Sequence, residues 1–266
     1  MYSIDTSQLV YFTIHELKMF APAQVNGETM LAYLDTAATG VTVSSQVAKG
    51  LPQEGNVRVQ SAFGEREFDK VTVSIEFMGN AFAKINARVH DGESTIPFRS
   101  GVTLGGQILF RQALIYDFHV LGLLHAGGVD RDGWEKVPSE FLDIGLCVVE
   151  MKAGGKKIKA LFDTGAGVTV INSAHVKGNG LILGSGFRMD IWDATGAVSK
   201  QEIKSCRGLY VGEIQMPPFD AIEVDLSNIE ETIGQQIDLV FGANAMLKSG
   251  FRWLFDAKHG EVLITP

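Results

Sequence analysis

Hydrophobic and polar residues alternate along most of the chain in short runs that are typical of β-strands. Valine, isoleucine, threonine and phenylalanine alternate with polar residues in segments such as 57–62 and 198–203, and glycine-containing turns separate these runs. Helix-like patterns are short and few. The alternation therefore predicts an all-β protein that is built largely of hairpins.

The same pattern occurs twice, at an offset of 128 residues. The segment LAYLDTAATGVTVSS at 31–45 aligns without a gap with KALFDTGAGVTVINS at 159–173. Upstream, the same offset aligns the Asn-Gly dipeptide at 26–27 with the Gly-Gly dipeptide at 154–155. Both dipeptides tolerate the positive φ of a hairpin turn. Each copy is therefore predicted to begin with two strands that are joined by a tight turn.

Both copies continue with the same order of parts. A second hairpin is predicted to turn at Phe63-Gly64 in the first copy and at 193–196 in the second. Each copy then has two larger residues and a glycine before a short helix-like run, and it closes with a strand. These closing parts are Thr103-Leu104-Gly105 with 113–117, and Val240-Phe241-Gly242 with 252–256.

A stretch rich in glycine and charged residues separates the two copies. Residues 125–139 read HAGGVDRDGWEKVPS, which is the composition of an exposed linker. We therefore predict an N-terminal lobe over 1–126 with the first Asp-Thr motif, and a C-terminal lobe over 138–266 with the second.

The composition limits the classes of function. With 45% hydrophobic and 20% charged residues, the chain is typical of a globular protein rather than a disordered one. Its 23 basic and 31 acidic residues give a net charge of −8, which argues against a nucleic-acid or anionic membrane partner. Two cysteines are too few for a disulfide framework, and residues 1–10 lack the features of a secretory signal. We predict a cytoplasmic protein.

The repeated Asp-Thr pair is the main candidate for chemistry. An isolated Asp-Thr-Gly triplet is more often a turn than a catalytic site. Here, however, Asp35 and Asp163 stand at matched positions, and each directly follows an apolar run. The end of a core strand is a costly place for a charge that is neither used nor paired. The pair therefore indicates a carboxylate site.

These motifs resemble the aspartic proteases, in their pepsin-like and retroviral (retropepsin-like) families. The family pattern is an apolar strand, Asp-Thr-Gly-Ala or Asp-Ser-Gly-Ala, a second strand, a flap hairpin, and two apolar residues with a glycine before a short helix. The second copy, with 162–166 and 240–242, matches this pattern closely, whereas the first copy has Ala37 in place of the glycine. The resemblance covers most of the chain except 79–98 and the linker.

The resemblance implies two similar lobes that face each other across a cleft, with Asp35 and Asp163 as the catalytic pair. Two carboxylates a few Å apart cannot both ionise, an effect for which the aspartic-protease pair is the standard example. One then acts as a base toward a water molecule and the other as an acid toward the peptide carbonyl. Because the two titrations are coupled, the sequence assigns neither role. No metal or other cofactor is expected.

The resemblance also implies supporting roles. Thr36 and Thr164 would interlock through their hydroxyl groups, and the backbone N–H groups of Gly165 and of its counterpart Ala37 would bind the carboxylates. The implied flap and substrate residues are Phe63, Gly64, Trp192 and Gly196. For Trp192, packing within the hairpin is an equal alternative. Because both copies lie in one chain, we predict a monomer that cuts extended polypeptides next to apolar residues.

Ala37 leaves a second hypothesis open. Alanine keeps the N–H donor, but its methyl group restricts φ and is expected to crowd the cleft. The alternative function is a catalytically impaired peptide-binding or regulatory module with the same fold.

Three other chemistries fit the sequence less well. The glycine-rich segment 180–186 lacks both the dinucleotide-binding spacing and the lysine of a phosphate-binding loop. Ser185 within it does not have the spacing of a serine hydrolase nucleophile. The six histidines are scattered without metal-ligand spacing.

Overall fold

The computed structural model describes residues 9–60, 65–90, 101–175, 180–192 and 198–266. Within those residues strands predominate and the four helices are short, so the predicted all-β class is confirmed. None of these helices is long and apolar enough to cross a membrane.

The elements are numbered along the chain. The strands are β1 (Val10–Tyr11), β2 (Thr13–His15), β3 (Lys18–Val25), β4 (Glu28–Asp35), β5 (Val41–Ser44), β6 (Gln53–Gln60), β7 (Glu65–Phe77), β8 (Asn80–His90), β9 (Val102–Gly105), β10 (Leu114–Asp117), β11 (Gly122–His125), β12 (Glu135–Val137), β13 (Ser139–Phe141), β14 (Cys147–Ala153), β15 (Lys156–Asp163), β16 (Thr169–Asn172), β17 (Ile182–Trp192), β18 (Val198–Arg207), β19 (Leu209–Val211), β20 (Ile214–Gln215), β21 (Phe219–Val224), β22 (Leu239–Gly242), β23 (Arg252–Asp256) and β24 (Glu261–Thr265). The helices are α1 (Ser45–Ala48), α2 (Gly106–Leu109), α3 (Ser227–Ile233) and α4 (Ala243–Ser249).

An eight-stranded sheet contains the first copy of the repeat. Its strand order is β2-β3-β4-β9-β5-β8-β7-β6. β4 pairs in parallel with β9, which pairs antiparallel with β5, and β5 pairs in parallel with β8. The predicted tight turn between β3 and β4 is confirmed, with positive φ at Asn26 (51°) and Gly27 (84°).

A second sheet repeats these connections in the other half of the chain. β15 pairs in parallel with β22, β22 pairs antiparallel with β16, and β16 pairs in parallel with β21. The full order is β17-β18-β21-β16-β22-β15-β14-β19-β20, and β13 pairs with β14. Gly154 and Gly155, with φ of 55° and 76°, form the predicted turn between β14 and β15. The internal repeat is therefore present in the topology as well as in the sequence.

A six-stranded sheet joins the two halves. Its order is β1-β11-β10-β23-β24-β12, so it takes strands from both copies. The two predicted closing strands, β10 and β23, lie side by side in antiparallel pairing at its centre, with Tyr116 opposite Trp253. This pairing links the two copies of the repeat through backbone hydrogen bonds.

The prediction of an exposed linker over 125–139 is wrong in part. β11 ends at His125, Ala126 is buried, and β12 pairs with β24 through the fully buried Val137. Only 127–134 form a loop, and Arg131 within it binds Glu261 at 2.9 Å. The charged residues of this segment indicated a loop, although Val137 among them packs in the interior and fixes β12 to the sheet. The domain boundary stays a prediction.

An aromatic cluster lies directly beneath the second Asp-Thr motif. Phe162, the residue before Asp163, packs against Phe255 with ring centroids 4.5 Å apart and against Trp253 at 5.2 Å. Tyr116 of β10 contacts both Phe162 and Phe255. Such buried aromatic contacts fix the end of β15 because a packed interior resists displacement. The cluster thus provides a rigid base for the site.

Candidate active site

Asp35 and Asp163 are the last residues of two equivalent strands, β4 and β15. In the parallel ladders, Asp35 is in register with Gly105 of β9 and Asp163 with Gly242 of β22. The glycines that were predicted from the apolar-apolar-Gly pattern therefore lie beside the two aspartates. Both aspartates are half-buried.

Steric contact explains why glycine stands at these two positions. After each aspartate, the chain turns across the neighbouring strand, and a methyl group on Gly105 would overlap the carbonyl oxygens of Ala38 and Gly40. A methyl group on Gly242 would lie 2.7 Å from the carbonyl oxygen of Ala166. Contacts this short force the backbone apart, so the pattern secures the close approach of the turn to the sheet.

The two threonines interlock across the two copies. The N–H of Thr36 donates to Oγ1 of Thr164 at 3.1 Å, and the N–H of Thr164 donates to Oγ1 of Thr36 at 2.9 Å. Each hydroxyl in turn donates to a carbonyl oxygen of the opposite strand, Thr36 to Phe162 and Thr164 to Leu34. Both threonines are fully buried. Their buried polar groups are satisfied only when the two motifs are side by side.

Each carboxylate is held by two backbone N–H donors. Oδ1 of Asp35 accepts from Ala37 at 3.1 Å and from Ala38 at 2.9 Å. Oδ1 of Asp163 accepts from Gly165 at 2.7 Å and from Ala166 at 3.0 Å. These bonds fix the orientation of both carboxyl planes.

The two carboxyl groups lie near each other, since the carboxyl group of Asp35 lies against Gly165, two residues after Asp163. Burial, followed by the negative charge of Asp35, raises the pKa of Asp163 to about 8, against the opposing effect of the N–H donors. Burial also raises the pKa of Asp35, but hydrogen bonds from Ala38 and Ala37 and the charge of Arg88 oppose this effect. One carboxyl group of the pair is therefore expected to keep a proton at neutral pH.

Ala37 fits this arrangement without backbone strain. It is absent from the residues with positive φ, and its side chain packs against a buried apolar cluster of the second half that includes Ile222 and Val240. Its N–H donates to Oδ1 of Asp35, as predicted. The restriction of φ by the methyl group thus causes no strain here, and the expected crowding of the cleft stays a prediction.

Gly165, by contrast, accepts no side chain. A methyl group there would overlap the carboxyl group of Asp35. We expect Gly165→Ala to displace Asp35 and to lower the free energy of unfolding by about 1–3 kcal/mol, the usual cost of overpacking. Chemical denaturation of the wild type and the variant measures this loss.

The matched control is Gly167→Ala, two residues further along the same turn. A methyl group at Gly167 would lie 3.5 Å from Cβ of Leu17, which is an ordinary contact. Equal stabilities of the two variants would contradict the steric role of Gly165.

Two residues near the pair belong to no motif that the sequence analysis could recognise. The hydroxyl of Tyr33 donates to the carbonyl oxygen of Gly165 at 2.6 Å and so ties the two motifs together. Burial, followed by the charges of Asp35 and Asp163, raises the pKa of Tyr33 well above its usual value, so that this hydroxyl stays a donor. Arg88 of β8 lies beside the turn that follows Asp35. The repeat does not reveal either residue, since their counterparts in the second copy are Leu161 and Ile222.

Most of the predicted flap residues lie outside the described residues. Phe63, Gly64 and Gly196 belong to this group, as does the side chain of Trp192. The strands on either side of these turns do form the two predicted hairpins, β6 with β7 and β17 with β18.

The other candidate groups do not form sites. Gly184, Ser185 and Gly186 lie within β17, at a register shift in its pairing with β18. Nδ1 of His175 is 3.2 Å from Asp238, and Nδ1 of His259 is 2.8 Å from Asp256. Across the ranges that the structure describes, no three histidine, cysteine or acidic side chains are grouped as metal ligands.

Comparison with protein families gives a match in the second part of the chain. Residues 149–245 match the model of a protein family described as aspartyl protease. This segment extends from β14 to α4 and contains Asp163 with its threonine and glycine. No curated protein matches the chain. The match supports an aspartyl protease family for the chain, through the half that carries the second motif.

Proposed function

We propose that this protein is an aspartic endopeptidase whose catalytic residues are Asp35 and Asp163. The observation that carries the proposal is the interlock of Thr36 with Thr164, which brings Asp35 and Asp163 together from equivalent positions of the two copies. The family match over 149–245 supports a peptidase, and hence a polypeptide substrate.

The proposed reaction needs one proton on the pair. A water molecule between the carboxyl groups gives a proton to the ionised aspartate while its oxygen attacks the peptide carbonyl carbon. The protonated aspartate gives its proton to the carbonyl oxygen, which forms a tetrahedral diol. Collapse of the diol breaks the C–N bond: the newly protonated aspartate gives its proton to the leaving amine, and the other aspartate takes a proton from a diol hydroxyl. The pair thus returns to its initial state without a covalent intermediate.

Apolar residues beside the pair favour a substrate that has apolar side chains next to the cleaved bond. The cluster that contains Ala37 also includes Ala166, Val168 and Val170 from the second motif and Ile191 from β17. Phe187 and Met189 alternate with Ile191 along this strand and so share its face. They are 63% and 40% exposed, which is unusual for side chains of this size. We propose that they contact a peptide that lies in a cleft between the two lobes.

A single chain supplies both aspartates, so the proposed enzyme functions as a monomer. The retropepsin-like subtype and the cytoplasmic location are likewise part of this proposal. The impaired peptide-binding module remains the competing function because Ala37 departs from the family pattern.

The experiment that separates the two functions compares the wild type with Ala37→Gly. Both proteins are assayed against one peptide library, with Asp163→Asn as the blank. We expect the wild type to cleave peptides and Ala37→Gly to keep or raise kcat/KM, because the N–H donor to Asp35 is retained. The variant is expected to lose about 0.5–1 kcal/mol of stability through the greater freedom of its unfolded chain.

The outcomes are distinct. Cleavage by the variant alone would identify a binding module that Ala37 has disabled. Absence of cleavage in both proteins would contradict the enzymatic proposal and leave only the similarity of fold.

A further inference from the structure

Arg88 extends toward the turn that holds Asp35. Arg88 is in register with Thr42 of β5 and with Lys70 of β7. Its Nη2 atom is 3.9 Å from the position that a Cβ on Gly40 would occupy. The turn from Asp35 to Gly40 contains both N–H donors to the Asp35 carboxylate. Arg88 is half-buried, and its guanidinium group lies beside the loop that binds the Asp35 carboxylate.

The second copy has no such cation at the equivalent position. The parallel pairing of β16 with β21 corresponds to that of β5 with β8, and Val170, the counterpart of Thr42, is in register with Ile222. Ile222 is buried in the apolar cluster that also includes Ala166. Asp35 thus has a positive charge nearby, whereas Asp163 has an apolar wall. The two halves of the site therefore differ in charge, although the same strand pairings occur in both.

Among the residues that the structure describes, three titratable groups interact with Asp35 from the surrounding elements. They are Arg88 from β8, Asp163 from the end of β15 and Tyr33 from β4. Tyr33 is neutral, because its pKa is raised by burial and by the two aspartates. Burial lowers the pKa of Arg88 and the charge of Asp35 raises it again, so each charge favours the other. An arginine side chain remains cationic at neutral pH.

We propose that Arg88 is a positioning residue that keeps the negative charge on Asp35 and thereby leaves the shared proton on Asp163. Resting on the proposed function, this inference assigns the two roles that the symmetry of the motifs leaves open. Asp35 accepts the proton of the attacking water, and Asp163 donates its proton to the peptide carbonyl oxygen. Arg88 contacts neither the water nor the peptide in this scheme and acts only through Asp35.

The test is a ¹³C NMR titration of the aspartate side-chain carboxyl groups, with the two resonances assigned from Asp35→Asn and Asp163→Asn. The wild type, Arg88→Met and Arg88→Lys are compared. In the wild type we expect Asp35 to titrate at a lower pH than Asp163. Arg88→Met should raise the midpoint of Asp35 by at least about one pH unit, because the carboxylate of this half-buried residue then lacks the cation that stabilises its negative charge. Arg88→Lys should keep most of the wild-type value.

Arg58→Met is the control for the loss of one positive charge. Arg58 is an exposed residue of β6 that pairs with Glu65, so this variant should leave both midpoints unchanged. An Asp35 midpoint that is the same in the wild type and Arg88→Met would overturn the proposal, as would a wild type in which Asp35 titrates above Asp163. If Arg88→Met does not fold, Arg88→Lys is the test: because it keeps the charge, Asp35 should still titrate at a lower pH than Asp163.

The titration also separates this inference from the proposed function. Where the wild type cleaves peptides, the acidic limb of its pH profile should shift upward in Arg88→Met by the same amount as the Asp35 midpoint. An inactive wild type with the expected shift would contradict the peptidase and support the role of Arg88. An active wild type without the shift would support the peptidase and contradict the role of Arg88.

Discussion

Peptide cleavage by this protein is expected to rise and then fall with increasing pH, with the upper limb near the pKa of Asp163, which burial raises to about 8. Below the pKa of Asp35, itself raised above its ordinary value by burial, both carboxyl groups carry protons and no base is available to the water. Above the pKa of Asp163, both groups are ionised, so that no acid is available and the two charges repel each other. The rate should therefore fall by roughly tenfold for each pH unit beyond either limb.

The measurement is kcat/KM for one peptide across the pH range over which the protein stays folded. Chelators and serine-directed reagents should not change the profile, because the proposed reaction uses neither a metal nor a nucleophilic serine. A rate that increases steadily into the alkaline range would contradict the shared proton.

Asp163→Asn is expected to stabilise the protein at neutral pH. The native pKa of about 8 lies above the ordinary value of 3.8, so between these values the unfolded chain releases a proton that the native state keeps. The wild type therefore loses stability as the pH rises through this window, and the loss is constant above it. Asparagine resembles the protonated acid, since its oxygen still accepts from Gly165 and Ala166. We expect a melting temperature about 5 °C or more above that of the wild type at pH 7, and little difference at pH 4.

The control for the expected gain in stability is Asp256→Asn, for which we expect a loss. Burial alone would raise the pKa of Asp256, but hydrogen bonds from His259 and Arg131 outweigh this effect and lower it. Its carboxylate thus stabilises the protein above the unfolded pKa, and the variant should be less stable than the wild type at pH 7. A gain from Asp163→Asn that is the same at pH 4 and at pH 7 would mean that the proton on the pair is not its cause.

The repeated part of the fold was predictable because its signals are local. The Asn-Gly and Gly-Gly turns, the alternating hairpins and the glycines at 105 and 242 each determine the path of a few neighbouring residues. The six-stranded sheet was not predictable in the same way. The pairing of β10 with β23 joins segments from opposite halves of the chain, and no local pattern specifies which strand ends will meet.

The same distinction applies to the site. Asp35, Asp163 and the two threonines stand out because the motif occurs twice, and the threonine hydrogen bonds have the expected partners. Tyr33 and Arg88 do not stand out, since their positions depend on the register of strands that are distant in sequence. The conformation of Ala37 was likewise not predictable, because the apolar residues that surround its methyl group come from the other half of the chain.

The most direct test of the paired aspartates is one cleavage assay on four proteins: the wild type, Asp35→Asn, Asp163→Asn and the double variant. Each is first shown to be folded by circular dichroism and thermal melting. The wild type should cleave, and all three variants should fall to the same level, at least about 10³-fold lower, because residues that act as a unit have non-additive effects. A single variant, above all Asp35→Asn, that retains a rate near that of the wild type would contradict the account.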